Sequence, residues 1–224
     1  MSRSPAPVKA NPRGTFRVTL GLGDLRGQRV GLFGGSFDPA HRGHLAVAEA
    51  ARAACGLDRV IWLASPGNPL KAPGSAAPLA VRMAQARALT RGRAWITVSD
   101  AEARLGTRYT ADTLAALRAR LPSSRLVWIM GADSLAGFHR WRDWRGIASA
   151  MPLLIASRPG EAQAALTSPA ARTLWRHRLP PAAARRLPAC PPPAWCFLPG
   201  VAEAVSSTAL RAARGDGTAS PPEA

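Results

Sequence analysis

Lysine is almost missing from this chain: Lys9 and Lys71 are the only two among 30 basic residues. Tyrosine occurs once and acidic residues number 13, which leaves a formal net charge of +17. A charge of that size suggests a nucleic-acid binder. Its make-up argues otherwise, because nearly all of it is arginine, spread along the chain without forming a stripe. Arg, Ala, Pro and Gly are all abundant, the bias that GC-rich coding DNA gives without selection for DNA contact. A specific nucleic-acid partner is therefore not expected, although a basic surface still attracts polyanions such as ATP. No apolar run approaches the ~20 residues of a membrane helix. The first residues, MSRSPAPVKANPRG, lack the apolar stretch of a secretory signal, so a cytoplasmic location is expected. Cysteines are scarce too. Cys55 falls in a helical pattern and reads as a small core residue. Cys190 and Cys196 flank a proline run with neither metal-ligand spacing nor, in the cytoplasm, an expectation of a disulfide.

What is present is an alternation of short apolar runs and amphipathic stretches. Strands are expected at Arg29–Phe33, Val60–Ala64, Trp95–Val98, Leu126–Met130, Leu153–Ala156 and Trp195–Leu198. Helices are expected at Arg42–Cys55, Leu79–Thr90, Thr110–Leu121, Ser134–Phe138 and Trp144–Ala150, with another from about Ser206 to Gly215. Alternation of this kind predicts an α/β fold, a Rossmann-like doubly wound parallel sheet with helices on both faces. Residues 1–25 read as a flexible extension, 26–214 as the domain and 215–224 as a disordered tail. In such sheets ligands lie beyond the carboxyl ends of the strands, and the polar signatures cluster there.

The strongest signature follows the first strand: Gly34-Gly35-Ser36-Phe37-Asp38-Pro39-Ala40-His41-Arg42-Gly43-His44. Paired glycines let backbone approach a ligand closely, and the helix N-terminus behind them favours anions. His41 and His44 are three apart, so both can face one point. The blander reading makes them a helix cap and a surface residue. The pattern is neither the dinucleotide fingerprint nor a P-loop, since the required glycine spacing and Gly-Lys-Ser/Thr are missing. A second signature, Ser206-Ser207-Thr208-Ala209-Leu210-Arg211, reads as a helix cap that can also hold phosphate, with Arg211 adding donors.

Together these boxes resemble the H-x-G-H and S-S-T-x-[IL]-R marks of a nucleotidyltransferase superfamily. Four further stretches resemble the bacterial nicotinate-nucleotide adenylyltransferases: Asn68–Lys71, Tyr109–Leu114, Gly131–Leu135 with Phe138, Trp141 and Ile147, and Arg158–Gly160. The resemblance spans about residues 29 to 214. It leaves residues 1–28 and the Pro-, Ala- and Arg-rich stretch 162–193 without a match.

The resemblance implies transfer of AMP from ATP to nicotinate mononucleotide, with Mg2+ accompanying ATP, and no protein-held metal. It implies that Gly34, Gly35, Ser36 and Phe37 offer backbone N–H groups to phosphates, and that His41 and His44 stabilise the transition state. Ser207, Thr208 and Arg211 would hold the departing phosphates. Lys71 is either a phosphate ligand or a solvated loop lysine. Asp133 is either an acceptor for ribose hydroxyls, a helix cap, or both. Arg158 is assigned to ATP; Asn68, Thr110 and Trp141 are assigned to the mononucleotide, with plain packing as the alternative for Trp141. Related readings are an adenylyltransferase for the amide mononucleotide or phosphopantetheine, a cytidylyltransferase, and a binding module that has lost activity. Oligomeric state is not written in the sequence.

Overall fold

Strands covered on both faces read as unbroken apolar runs, and here the sequence Val60-Ile61-Trp62-Leu63-Ala64 is buried throughout. The computed structural model describes residues 20–67 and 76–201. Within them the chain runs β1 (Arg29–Gly35), α1 (Arg42–Cys55), β2 (Arg59–Ala64), α2 (Leu79–Leu89) and β3 (Ile96–Ser99). It continues through α3 (Ala101–Leu105), α4 (Thr110–Arg120), β4 (Arg125–Gly131), α5 (Ala132–Gly137), α6 (Trp144–Ala150) and β5 (Leu153–Ala156). The last elements are α7 (Ala162–Leu166), α8 (Pro169–Thr173), β6 (Arg178–Leu179) and β7 (Trp195–Leu198). Among the described residues no helix is long and apolar enough to cross a membrane.

The strands form one seven-stranded sheet in the order β3-β2-β1-β4-β5-β7-β6, with every pairing parallel. From central β1 the chain moves outward through β2 to β3, then crosses back to β4 on the other side. This reversal places a switch point between β1 and β4, where the expected doubly wound fold opens a crevice at the carboxyl edge. Two apolar clusters cover the faces. One packs α1, α2 and a Pro181–Ala189 3-10 segment on the sheet through Ala48, Ala51, Met83, Ala86, Ala184 and Leu187. The other packs α3 to α8, with Leu114, Leu117, Leu135, Ile147, Ala165 and Ala171 among its members.

One sequence expectation changes. Residues 20–25, assigned to a flexible extension, are packed: Leu20, Leu22 and Leu25 are buried in the second cluster. Gly21 and Gly23 adopt φ of 65° and 71°, left-handed values that glycine reaches without steric cost and that let the flanking leucines turn to one side. Ser99 and Ser124 donate their hydroxyls to the Leu20 and Leu25 carbonyls at 3.1 and 2.7 Å. The stretch 162–193 also carries structure, in pieces too short for a periodic pattern: α7, α8, two-residue β6 and the 3-10 segment. Cys55 is buried as expected, and Cys55, Cys190 and Cys196 are all free thiols.

Candidate active site

The crevice is built on the carboxyl end of β1. Gly34 is glycine because of its neighbour: a Cβ there would sit 2.2 Å from the Trp128 ring. The chain then leaves the sheet through Ser36 and Phe37. Phe37 takes a φ of 48°, a sparsely populated value for an aromatic residue, so the surroundings must hold it. They do so through its ring, which is fully buried and stacks on Trp62 at 4.8 Å with an interplanar angle of 4°. The His44 ring meets Phe37 edge-on at 5.0 Å.

Both histidines sit in the first turn of α1 and lock it. His41 is the N-cap, and its Nδ1 accepts the Gly43 N–H at 3.1 Å. His44 reaches back, its Nδ1 accepting the His41 N–H at 3.2 Å. The result is a reciprocal capping box made of imidazoles. A neutral imidazole carries one proton, so an accepting Nδ1 fixes that proton on Nε2 in each ring. The ring centroids are 3.9 Å apart. The sequence alternatives of cap and phosphate donor are therefore compatible: one ring edge caps the helix while the other keeps a donor.

Electrostatics keep the pair neutral. Burial pushes the His44 pKa down to about 3, helped by His41 and Arg158; burial and then Arg158 lower that of His41. Arg158, two residues beyond β5, is thus near enough to act on both rings, and its guanidinium pairs with Glu161 at 2.6 Å. Both shifts favour neutral rings, with Nδ1 accepting and Nε2–H left as the donor.

Asp133 lies in the first turn of α5, at the end of β4, on the opposite side of the switch point. Its carboxylate overhangs Gly131, where a Cβ would come within 2.3 Å of Oδ1. It does not cap α5: Gly131 is the N-cap and no side chain bonds there. Thr110 opens α4 and Trp141 follows the 3-10 turn Phe138–Arg140, its ring edge-on to Phe138 at 5.4 Å. Arg142 brings these two segments together, stacking on Tyr109 at 4.6 Å and pairing with Asp112 at 3.3 Å. Trp141 is half-buried and packs against the core, so the packing alternative is met in part. Asn68, Lys71, Ser207, Thr208 and Arg211 lie outside the described residues.

Sequence reasoning passed over Arg82, whose guanidinium lies fully buried beneath the Ser36–Asp38 loop. The signal was present: Arg82 occupies an inward position of α2 with Met83 and Ala86.

Comparison with known proteins agrees with this geometry. A cytidylyltransferase-like family model matches residues 32–213. The chain is 56% identical over 183 residues to a probable nicotinate-nucleotide adenylyltransferase of Caulobacter sp. (strain K31), covering 82% of this chain and 96% of that one. Relatives of the same name from Ruegeria pomeroyi (84% of this chain, 88% of the relative) and Methylorubrum extorquens (82% and 98%) are each 52% identical. Among solved structures, Plasmodium falciparum nicotinic acid mononucleotide adenylyltransferase complexed with NaAD shares the fold at a TM-score of 0.64 and 14% identity, covering 83% of each chain. The chain covers most of the length of each of these three relatives, and it belongs to the nicotinate-nucleotide adenylyltransferase family.

Proposed function

We propose that this protein transfers AMP from ATP to nicotinate mononucleotide, giving nicotinate adenine dinucleotide and pyrophosphate. The observation that carries the reading is the imidazole pair at the switch point, with both Nε2–H groups left as donors in a chain whose relatives bear this enzyme's name.

In the reaction a phosphate oxygen of the mononucleotide attacks the α-phosphorus of ATP. The new P–O bond forms as the bond to the β-bridging oxygen breaks, and pyrophosphate leaves with that electron pair. The attacking phosphate is ionised at neutral pH, so no strong base is required. Catalysis reduces to alignment and to donors aimed where negative charge builds. We assign that charge to His41 and His44, with Gly34, Gly35, Ser36 and Phe37 lending N–H groups to the same phosphates. Arg158 supplies positive potential beside the pair. Asp133 is the acceptor for ribose hydroxyls. Thr110 and Trp141 hold the mononucleotide, the indole against the pyridine ring, and Asn68 assists. Lys71, Ser207, Thr208 and Arg211 take the departing phosphates.

Mg2+ enters as part of the substrate. It is a hard ion that keeps mostly phosphate and water oxygens as ligands. The described residues hold no group of three or more His, Cys, Asp or Glu that would cage it, and the donors at the switch point are ring nitrogens and N–H groups suited to phosphate. When bound with ATP, the ion neutralises charge on the leaving pyrophosphate. We propose that the reaction takes place in the cytoplasm, where ATP is supplied.

Pyrophosphate release from MgATP, with nicotinate mononucleotide or its amide supplied separately, tests the reading. Release with the acid is expected. No release with the acid overturns the assignment, and equal use of both retracts acid specificity.

A further inference from the structure

Among the described residues Arg82 is the only buried arginine, 1% exposed on the inner side of α2. Burying a guanidinium costs several kcal/mol unless its donors are matched, so its partners indicate what it is for. Nε donates to the Ala77 carbonyl at 2.7 Å, and Nη1 donates to the carbonyl of Ser36, 46 residues away in sequence. The Asp38 carboxylate adds favourable charge.

The Ser36 contact fixes more than a carbonyl. The two cis peptide bonds of the described chain precede Pro39 and Pro193, so the Ser36–Phe37 peptide is trans. In a trans peptide the carbonyl and the following N–H point in opposite directions. With the Ser36 oxygen drawn to Arg82, the Phe37 N–H is turned away from α2. The same peptide enters the left-handed conformation of Phe37, whose ring stacks on Trp62. Arg82 and Trp62 therefore grip the loop at its backbone and its side chain. Ala77, the second carbonyl, lies two residues before α2.

We infer that Arg82 is a positioning residue for ATP: by holding the Ser36 and Ala77 carbonyls with one rigid fork, it sets the phosphate-facing loop against the start of α2 in a common frame. The inference rests on the assignment of the Gly34–Phe37 loop to the ATP phosphates. Arginine suits the task because its planar fork fixes two acceptors at once, which a lysine ammonium does not.

The test compares wild type with Arg82→Lys and Arg82→Met by thermal melting, by kcat and KM for each substrate, and by titration calorimetry with MgATP alone. Arg82→Lys keeps the charge and is expected to fold, with ATP KM and Kd raised roughly tenfold, the scale of one charge-assisted hydrogen bond. The mononucleotide KM stays within about twofold, on the scale of a site that loses no direct contact. Arg82→Met shows a larger rise in the same constant. Folded variants with unchanged ATP affinity overturn the inference, as do equal rises in both KM values. Unfolding of both variants also overturns it and assigns Arg82 to the core alone. Calorimetry needs no acceptor, so a wild type inert toward nicotinate mononucleotide would refute the proposed reaction while the Arg82 comparison still reads out.

Discussion

His44 Nδ1 accepts the backbone N–H of His41, so the ring proposed to face the triphosphate is also the lock on its own helix. The two duties use different nitrogens and can be separated by mutation. In His44→Asn the amide oxygen can take over the capping bond, but nothing replaces the Nε2–H. Turnover is expected to fall at least ~100-fold, the loss typical of a key charge-stabilising donor. His44→Ala loses both, and should be less stable than His44→Asn by about 1 kcal/mol, the scale of a lost cap. Steady-state rates and thermal melts of the two variants check this; near-normal turnover in folded His44→Asn refutes the donor role.

The same ring makes stability depend on pH. Its folded pKa of about 3 lies below the unfolded histidine value of 6.5. Below pH 6.5 the unfolded chain therefore takes up a proton that the folded one refuses. The stability present above pH 6.5 is lost as pH falls toward about 3, by on the order of a few kcal/mol in total. His41, also lowered, acts in the same direction. Urea unfolding from pH 7 to pH 5 should show wild type losing stability faster than His44→Asn. Parallel curves would refute the burial argument.

Gly34 and Trp128 compete for one space. Gly34→Ala would drive a methyl into the indole, with an expected cost of about 1–3 kcal/mol or more. Trp128→Phe alone leaves a cavity and is also destabilising. The double variant should be more stable than the sum of the two predicts, because the smaller ring admits the methyl. Additive losses in denaturant unfolding would show that the contact does not limit this position.

Trp141 precedes Arg142, whose guanidinium stacks on Tyr109 next to Thr110. Trp141→Ala is expected to raise the mononucleotide KM about tenfold or more by loss of stacking, while Trp141→Phe retains most of the affinity. An effect confined to the ATP KM contradicts the assignment.

Chelation of Mg2+ by EDTA should stop turnover without moving the melting temperature of the protein alone, if, as proposed, the ion arrives with ATP. A lowered melting point in EDTA would indicate a metal held by the chain itself.

Much of this was legible in the sequence because local and global signals agree. The α1 pattern and the apolar strands each give the same answer at the level of period and burial, although β1 runs on through Gly34 and Gly35, where the sequence ended it at Phe33. The first helix ends at Cys55 as read, since Gly56 takes the left-handed cap at φ 60°. Arg82 was missed because a charge on an inward helix position contradicts the binary pattern, and its partners are carbonyls that no pattern displays. Residues 20–25 were missed because their leucines alternate with glycines, a spacing that follows neither helix nor strand once φ turns positive. In the 162–193 stretch the buried residues sit in five-residue helices, as with Ala165, Ala170 and Ala171, or in 3-10 geometry, as with Ala184, Leu187 and Pro188, so no period had room to show. The roles of Asn68, Lys71, Ser207, Thr208 and Arg211 rest on the sequence alone.

The central strand has a consequence for how the enzyme comes into being. β1 has no side chain at Gly31 or Gly34, where Ile129 and Leu57, and then Trp128, press against its backbone. It adds little apolar surface of its own there and relies on neighbours brought from far along the chain, Arg29 pairing with Arg125 in β4. Contacts between such distant segments are slow to form because loop closure precedes any reward. In a refolding experiment the ability to bind ATP should therefore return with the final cooperative phase, and no early intermediate should carry a working nucleotide site.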